Sequence, residues 1–320
     1  MPDIVTIGEV LIDFTEDTSI NGEKCFIKNA GGSPANVAVM ASKLNISTAF
    51  IGKVGKDIFG KYLIDVLKSF NVNTDGVVWD KVHPTTLAFV KNTEGGKRNF
   101  IFYRNDSADQ NLSYKEINLK LIDSCKILHF GAFSLSKDPA RSSIIEVVKY
   151  AKKSHKLISY SPNWRPDLWE SKSEAETVMR SVLPLCDIIK VSEKELQVVT
   201  DSGNLITAIA KLLNLGISIV CITQGAKGCI IATRQGIERY PTYCLDTIDT
   251  LGAGDSFYGA FLSRFIKLNK KPDELNMSEI TEIANYSNAC GALTANKHGA
   301  IPAMPTHEEI LNCIGTIKTY

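Results

Sequence analysis

The stretch that decides the fold and the chemistry of this chain runs from residue 249 to residue 255 and reads Asp249-Thr250-Leu251-Gly252-Ala253-Gly254-Asp255. The apolar residues after it recur at helical spacing and are Phe257, Ala260, Phe261 and Phe265. The glycines and Ala253 therefore lie at the start of a helix, where backbone N–H groups lack intrahelical partners beside the positive end of the helix dipole. Because two glycines let an anion approach the backbone closely, Gly252, Ala253 and Gly254 predict an anion-binding site.

Asp255 places a carboxylate directly after that predicted anion site. A carboxylate beside a bound phosphate would repel it unless it had a chemical task. Taking the proton from a hydroxyl group that attacks the phosphoryl group is such a task. The alternative is a tight loop in which Asp255 only caps the helix. Both interpretations stay open on this segment alone.

A second glycine motif lies far upstream and reads Gly31-Gly32-Ser33-Pro34-Ala35-Asn36. Pro34 suits the first turn of a helix, and Asn36 offers both a hydrogen-bond donor and an acceptor. The motif carries no charge, so it predicts a site for a neutral polyhydroxy ligand rather than for a phosphate. The alternative is a plain connection between a strand and a helix.

Together, the two motifs resemble the two signatures of the ribokinase-like (PfkB) family of carbohydrate kinases. The resemblance continues in family order through Gly8–Asp13, Thr223–Gly228 and Gly299-Ala300. It implies that residues 1–320 form one kinase domain with a three-layer α/β/α fold, a mostly parallel central sheet and a small β-sheet lid. It also implies ATP and Mg²⁺ as cofactors, and we expect a homodimer.

The resemblance assigns roles to the residues that match family motifs. Asp255 would be the general base, and the N–H groups of Gly252, Ala253 and Gly254 would stabilise the transferring phosphoryl group. The sugar would be bound by Asp13, Gly31, Gly32, Asn36, Arg104, Asn163, Arg165 and Asp255. The nucleotide would be bound by Ser192, Glu195, Thr223, Gly225, Gly228, Gly252, Gly254 and Asn288.

Several of these residues have alternative interpretations. Arg104 would reach sugar hydroxyls or an acid-sugar carboxylate, or it lies on a solvated strand face. Arg165 would stabilise the transferring phosphoryl group, or it forms a surface ion pair. Glu195 would order water around Mg²⁺, or it caps a helix three positions after Ser192, and both can be true. The chain departs from the family at Ser192, where relatives carry Asn, and at Ser161, where many relatives carry Asp.

The resemblance also implies a potassium site beside the predicted anion site. Its ligands would be mostly backbone carbonyl groups, here those of Asp249, Leu251, Thr294, Lys297 and Gly299. A family position that often supplies a hydroxyl group is Ala303 here, so one ligand would be lost or replaced by water. We therefore expect potassium to activate the protein by fixing the Gly252–Gly254 loop.

Three segments resemble fructokinases within this family, and they are residues 29–38, 102–109 and 162–169. The last two also resemble ketodeoxygluconate kinases and the deoxygluconate kinases of inositol metabolism. The sequence therefore predicts phosphorylation of fructose to fructose 6-phosphate, with 2-dehydro-3-deoxygluconokinase or a related sugar kinase as the alternative. A third hypothesis is a catalytically inactive relative that binds sugar or nucleotide, against which the intact Asp255 argues.

Composition limits the partners that the chain is expected to have. The 320 residues are 44% hydrophobic and carry a net charge of +1, so no nucleic-acid or membrane surface is predicted. No apolar stretch approaches the length of a membrane span, and the chain starts directly with a strand. The eight scattered cysteines are typical of buried thiols in a reducing compartment. We therefore expect a cytoplasmic protein that binds a small sugar and ATP.

Short apolar runs alternate with helical patterns along the chain, which predicts βαβ units and a parallel sheet. Strands are predicted at 3–8, 48–54, 126–130, 157–161, 187–190 and 218–223. Helices are predicted at 34–45, 57–70, 139–154, 173–183, 192–200, 205–215, 254–268, 277–296 and 306–316. Residues 10–29 and 75–105 have β patterns without an intervening helix and predict the lid, and 226–240 predict an antiparallel hairpin or meander.

Overall fold

A computed structural model describes residues 1–19, 21–92 and 98–320 of the chain. The predicted lid segments include residue 20 and residues 93–97, which lie outside the described residues. The strands are β1 (Ile4–Ile7), β2 (Leu11–Thr18), β3 (Lys24–Gly31), β4 (Thr48–Gly55), β5 (Asn73–Asp80), β6 (Leu87–Asn92), β7 (Arg98–Tyr103), β8 (Ile127–Gly131), β9 (Leu157–Ser161), β10 (Ile188–Ser192), β11 (Ile219–Thr223), β12 (Cys229–Thr233) and β13 (Gly236–Tyr240). The α-helices are α1 (Ser33–Lys43), α2 (Ile58–Ser69), α3 (Leu119–Ser124), α4 (Ala140–Lys153), α5 (Lys172–Ser181), α6 (Glu193–Thr200), α7 (Leu205–Asn214), α8 (Ala253–Lys267), α9 (Met277–Ala295) and α10 (His307–Thr316).

The central sheet has nine strands in the order β13-β12-β11-β10-β9-β8-β1-β4-β5. Its neighbours are parallel except at the end where β12 and β13 pair in an antiparallel manner with β11 and with each other. The inner strands are apolar on both sides, as in Ile4–Ile7, because helices cover both faces of a parallel sheet. The predicted parallel sheet and the predicted hairpin within 226–240 are therefore confirmed.

Helices cover the sheet in two layers, as the three-layer prediction requires. Helices α1, α8 and α9 pack against one face, where Phe257 and Phe261 of α8 meet Ile127 and Ile188 of the sheet. Helices α4, α5, α6 and α7 pack on the other face, where Ile144 contributes to a second core. All eight cysteines are free thiols, and six of them are buried.

The small sheet has the order β3-β2-β6-β7 and corresponds to the predicted lid. One predicted boundary is wrong, because β5 belongs to the central sheet, where it pairs in parallel with β4. The reason is that α2 connects β4 to β5, and a strand–helix–strand unit places its two strands side by side in one sheet. The second lid segment therefore begins at Leu87 rather than at residue 75.

Candidate active site

The carboxylate of Asp255 lies where the two glycine motifs meet. Its Oδ1 atom accepts a hydrogen bond from Ser33 Oγ at 2.7 Å, and its Oδ2 atom accepts one from Asn36 Nδ2 at 2.9 Å. Gly252, rather than Asp255, is the residue that caps α8. The capping alternative for Asp255 is therefore wrong, and its side chain is directed to the start of α1.

The loop before α8 is held in a conformation that requires glycine. Gly252 has a φ of 73°, and a Cβ atom there would lie 2.7 Å from Ala300 Cβ. Beneath it, the buried Asp249 carboxylate accepts hydrogen bonds from the N–H groups of Leu251 and Gly299 at 2.9 and 2.8 Å. These contacts fix the start of α8 against the 299–300 loop.

The predicted trio of N–H groups at this helix start is not uniform. The N–H group of Ala253 donates to the Thr250 carbonyl oxygen at 3.3 Å, because residues 250–253 form a turn. The N–H groups of Gly252 and Gly254 have no acceptor among the residues that the structure describes. They are the members of the trio that remain available to an anion.

A cavity of about 60 Å³ adjoins Asp255 and extends to the small sheet. Strand ends of the central sheet supply one wall, since the carboxyl ends of parallel strands meet at one edge. The small sheet supplies aromatic rings opposite them. The lining residues are Glu9, Leu11, Asp13, Gly32, Ser33, Asn36, Phe100, Phe102, Phe133, Asn163, Arg165, Leu251, Gly252 and Asp255. We call this cavity the sugar cavity, because it brings together six of the residues predicted to bind sugar, namely Asp13, Gly32, Asn36, Asn163, Arg165 and Asp255.

The paired glycines of the upstream motif make room for their neighbours. A Cβ atom on Gly31 would collide with the carboxylate of Asp13, and one on Gly32 would lie 2.5 Å from the Glu9 carbonyl oxygen. Gly32 also has a φ of 106°, which other residues rarely adopt. The lack of a side chain on Gly31 thus leaves space for the Asp13 carboxylate, and Gly31 does not itself line the sugar cavity.

Arg104 is not on a solvated strand face, and it does not line the sugar cavity. Its guanidinium is buried, where Nε donates to Asp109 Oδ2 at 2.8 Å and Nη1 donates to Ser136 Oγ at 2.6 Å. The guanidinium also stacks over the ring of Phe133 at 4.3 Å, and that ring lines the sugar cavity. The sugar contact predicted for Arg104 stays a prediction.

Asn163 and Arg165 follow the carboxyl end of β9, and both line the sugar cavity. The Arg165 guanidinium lies 5.1 Å from the ring centroid of Phe100 and donates to the Trp164 carbonyl oxygen. No ion pair to Arg165 occurs within residues 1–19, 21–92 and 98–320, so the ion-pair alternative is wrong. Arg165 is thus a cation in the wall of the sugar cavity.

Glu9 is a site residue that the sequence analysis missed. Its Oε1 atom accepts a hydrogen bond from the Ser33 N–H group at 3.1 Å, and its Oε2 atom accepts one from Ser134 Oγ at 2.8 Å. Burial raises the pKa of Glu9 to about 7. The signal was its position directly after β1, at the edge of the sheet where sites form. Ser33 belongs to the predicted upstream motif but was not predicted as a site residue, and it connects Glu9 to Asp255.

A second cavity, of about 260 Å³, lies on the other side of the start of α8. Five of the residues predicted to bind nucleotide line it, namely Thr223, Gly225, Gly228, Gly254 and Asn288. The Asn288 side chain donates to the carbonyl oxygens of Tyr240 and Pro241, both at 3.1 Å. We call this the nucleotide cavity. The segment 252–255 borders it on one side and the sugar cavity on the other.

Ser192 and Glu195 lie outside the lining of the nucleotide cavity and cap α6. Ser192 Oγ accepts the N–H group of Glu195 at 3.3 Å, and Glu195 Oε2 accepts the N–H group of Ser192 at 2.7 Å. Glu195 Oε1 accepts the Trp164 N–H group at 2.9 Å. The capping alternative for Glu195 is therefore confirmed, and its role toward Mg²⁺ stays a prediction.

The two segments predicted to bind potassium lie next to each other. The N–H group of Asp249 donates to the Ala295 carbonyl oxygen at 3.0 Å, and the Asp249 carboxylate binds the N–H group of Gly299. The carbonyl oxygen of Thr294 accepts the N–H group of Lys297 at 3.3 Å. The fold thus brings the segment that precedes Gly252 into contact with residues 294–299, while the bound cation stays a prediction.

Comparison with known proteins identifies the family of this chain. The family described as "pfkB family carbohydrate kinase" matches residues 1–307, and the chain belongs to this family. It is 40% identical over 313 residues to probable fructokinase-3 of Arabidopsis thaliana, covering 97% of this chain and 90% of that protein. It is 39% identical over 316 residues to fructokinase-1 of Zea mays, covering 97% of each chain.

Solved structures show the same architecture. Fructokinase with bound ATP from Xylella fastidiosa superposes with a TM-score of 0.90 at 28% identity, covering 98% of this chain and 99% of that one. A fructokinase double mutant from Vibrio cholerae O395, with fructose, ADP and potassium bound, superposes with a TM-score of 0.88 at 30% identity, covering 98% of each chain. Among the described residues, no helix has the length and apolar character needed to cross a membrane.

Proposed function

We propose that this protein is an ATP-dependent fructokinase, which transfers the terminal phosphoryl group of ATP to fructose and forms fructose 6-phosphate. One observation carries the proposal. The Asp255 carboxylate lies at a helix start between two cavities, and residues from a motif more than 200 positions upstream hold both of its oxygens. The fructokinases among the relatives support the choice of sugar.

Asp255 acts as the general base in this reaction. Each carboxylate oxygen accepts one hydrogen bond, from Ser33 or Asn36, and keeps a further lone pair for a sugar hydroxyl group. The two hydrogen bonds fix the direction of the remaining lone pairs, which is what a base needs to receive a proton during the attack. The sugar oxygen then bonds to phosphorus as the bond to the ADP oxygen breaks.

The start of α8 stabilises the charge that develops on the transferring group. The N–H groups of Gly252 and Gly254 are free to donate, and the helix dipole adds a positive potential. When bound, Mg²⁺ neutralises charge on the nucleotide phosphates. Within the described residues no cluster of three or more His, Cys, Asp or Glu side chains is arranged to hold a metal ion. We infer that Glu195, whose carboxylate oxygens already accept backbone N–H groups, would act on Mg²⁺ only through water.

The small sheet serves as the lid. It contributes Asp13, Phe100 and Phe102 to the sugar cavity, so closure of this sheet would enclose the sugar and exclude water that competes as an acceptor. The Asn36 side chain is suited to bind a polar ligand, because its Oδ1 atom is buried and has no hydrogen-bond partner among the described residues. The apolar rings opposite suit the C–H faces of a sugar.

A second candidate is 2-dehydro-3-deoxygluconate, and Arg165 in the cavity wall favours it. Against it, the guanidinium of Arg104 is already paired with Asp109, and the upstream glycine motif is neutral. The deciding experiment measures kcat/KM with ATP for fructose, other neutral hexoses and 2-dehydro-3-deoxygluconate. We expect fructose to be preferred. A clear preference for 2-dehydro-3-deoxygluconate would overturn the assignment of fructose as the substrate and leave the phosphoryl-transfer chemistry intact. A lack of turnover with every sugar would favour a non-catalytic binding protein.

We also infer a homodimer in the cytoplasm, with potassium as an activator. The outer face of the small sheet supports the dimer, because Tyr103 is 64% exposed and its ring packs on Phe89, which in turn packs on Phe26. Sedimentation of the wild type and of Tyr103→Arg tests this assembly. A wild-type protein that sediments as a monomer would overturn it.

A further inference from the structure

Lys190 is a buried lysine to which the sequence analysis gave no role. It lies near the end of β10, where it pairs in register with Cys221 of β11. On the other side, the paired register with β9 reaches Ile189 and Tyr160, and the next residue of β9 is Ser161. Both of these neighbours are uncharged. Lys190 therefore has no counter-ion on the strands that flank it.

Within the described residues, the Lys190 ammonium makes no direct contact with a carboxylate. Lys190 and Lys53 are equally buried, at 8% exposure each, but Lys53 lies 3.1 Å from Asp80 and 2.9 Å from Glu116. For Lys190, no hydrogen bond or ion pair within 4.0 Å occurs in residues 1–19, 21–92 and 98–320. A buried and unpaired charge destabilises the folded state, so this lysine needs a ligand to justify its position.

Glu195 is close enough to sense this charge but is already occupied. Burial raises the pKa of Glu195, while the charge of Lys190 and the hydrogen bonds from Ser192 and Trp164 lower it, and the pKa ends below its usual value. Each of its carboxylate oxygens already accepts a backbone N–H group. Glu195 therefore leaves the Lys190 ammonium without a direct contact.

The Lys190 ammonium is directed to the first turn of α8. A Cβ atom on Gly254 would lie 3.0 Å from Lys190 Nζ and 3.7 Å from its Cε atom. Gly254 lines the nucleotide cavity, and its N–H group has no acceptor in the described residues. The positive charge and the free N–H group thus lie side by side, next to the residue that precedes Asp255.

We propose that Lys190 is a catalytic residue, which stabilises the charge on the transferring phosphoryl group from the nucleotide side. The proposal rests on the proposed phosphoryl transfer from ATP. In that step the sugar oxygen bonds to phosphorus, the bond to the ADP oxygen breaks, and the proton passes to Asp255. Lys190 takes no part in the proton transfer, and its side-chain charge meets the negative charge carried by the phosphoryl oxygens.

The test compares Lys190→Met with the wild type, because methionine has a similar length and no charge. Turnover of fructose should fall roughly 10²–10³-fold, the usual effect of removing one donor from such a site. ADP affinity, measured by calorimetry, should stay nearly unchanged. The affinity for ADP with aluminium fluoride and fructose, which imitates the transferring phosphoryl group, should fall by about the same factor as turnover. Lys190→Arg should recover part of both losses.

Two control variants separate chemistry from packing. Ser161→Ala alters the last residue of the adjacent strand β9, and because Ser161 Oγ has no hydrogen-bond partner in the described part of the chain it should keep wild-type turnover. Lys53→Met removes an equally buried but paired lysine, and it should lower Tm while the affinity for the aluminium fluoride complex stays at the wild-type level. Lys190→Met should instead hold or raise Tm, since it removes an unpaired charge.

The outcomes distinguish the two proposals. Wild-type turnover is measured first, and its absence with every sugar overturns the proposed function. If the wild type is active, Lys190→Met with turnover and aluminium fluoride affinity near the wild-type values overturns the role of Lys190. A Lys190→Met variant that loses ADP affinity and thermal stability along with turnover would also overturn this role, because such a result would indicate that Lys190 is structural.

Discussion

Replacement of Asp255 by Asn tests the assignment of the general base most directly. The carboxylate accepts one hydrogen bond from Ser33 Oγ at 2.7 Å and one from Asn36 Nδ2 at 2.9 Å. In Asp255→Asn, the amide oxygen can accept from Asn36, while the amide nitrogen donates to Ser33 once that hydroxyl group rotates to act as an acceptor. The variant can therefore keep both contacts and lose only the ability to take a proton.

These contacts set the expected size of each effect. Two charge-assisted hydrogen bonds become neutral, so the free energy of unfolding should fall by only about 1–2 kcal/mol. Turnover should fall roughly 10²–10⁴-fold, which corresponds to about 3–5 kcal/mol of activation free energy. ADP affinity should stay near the wild-type value, because the substituted group faces the sugar cavity.

The assay follows ADP release with fructose, together with thermal unfolding and ADP titration. Asp273→Asn is the matched control, since Asp273 is an exposed carboxylate outside both cavities. Turnover of Asp255→Asn within about threefold of the wild type would refute the role of Asp255 as the base. A collapse of Tm together with turnover would show instead that the substitution breaks the contact between α1 and α8.

Three further outcomes follow from the same geometry. Gly252→Ala should lower both Tm and turnover, the latter roughly 10²-fold, because its Cβ atom would lie 2.7 Å from Ala300 Cβ. Gly236→Ala is the control, since its Cβ atom would meet no described atom within 4 Å, and it should be neutral in both assays. Burial raises the pKa of Glu9 from 4.5 to about 7, so the folded state binds its proton more tightly and the free energy of unfolding should fall as the pH rises between these values. Urea unfolding at several pH values should show this slope in the wild type and a flatter one in Glu9→Gln, and equal slopes would contradict it. Potassium should raise turnover above that in an equal concentration of tetramethylammonium, and identical rates over a full titration would mean that no functional potassium site exists.

Much of the fold could be predicted because it depends on local patterns. Apolar runs such as Ile219–Ile222 indicate strands buried on both faces, and the spacing after Gly254 indicates α8. The turn conformation at Gly252 is likewise a local property, since few other residues adopt its φ of 73°. Asp255 could be chosen from the sequence because a carboxylate directly after an anion site has few other uses.

The sequence by itself determined the alternation of strands and helices, the position of the anion-binding helix start and the identity of its carboxylate. Only the tertiary structure decided which residues orient that carboxylate, that β5 joins the central sheet, and that Arg104 is paired with Asp109. It also decided that the Lys190 ammonium lies beside Gly254. The physical reason is that periodicity and backbone conformation are encoded by neighbours along the chain. Hydrogen bonds and ion pairs between distant residues depend instead on how layers pack, as between Ser33 and Asp255.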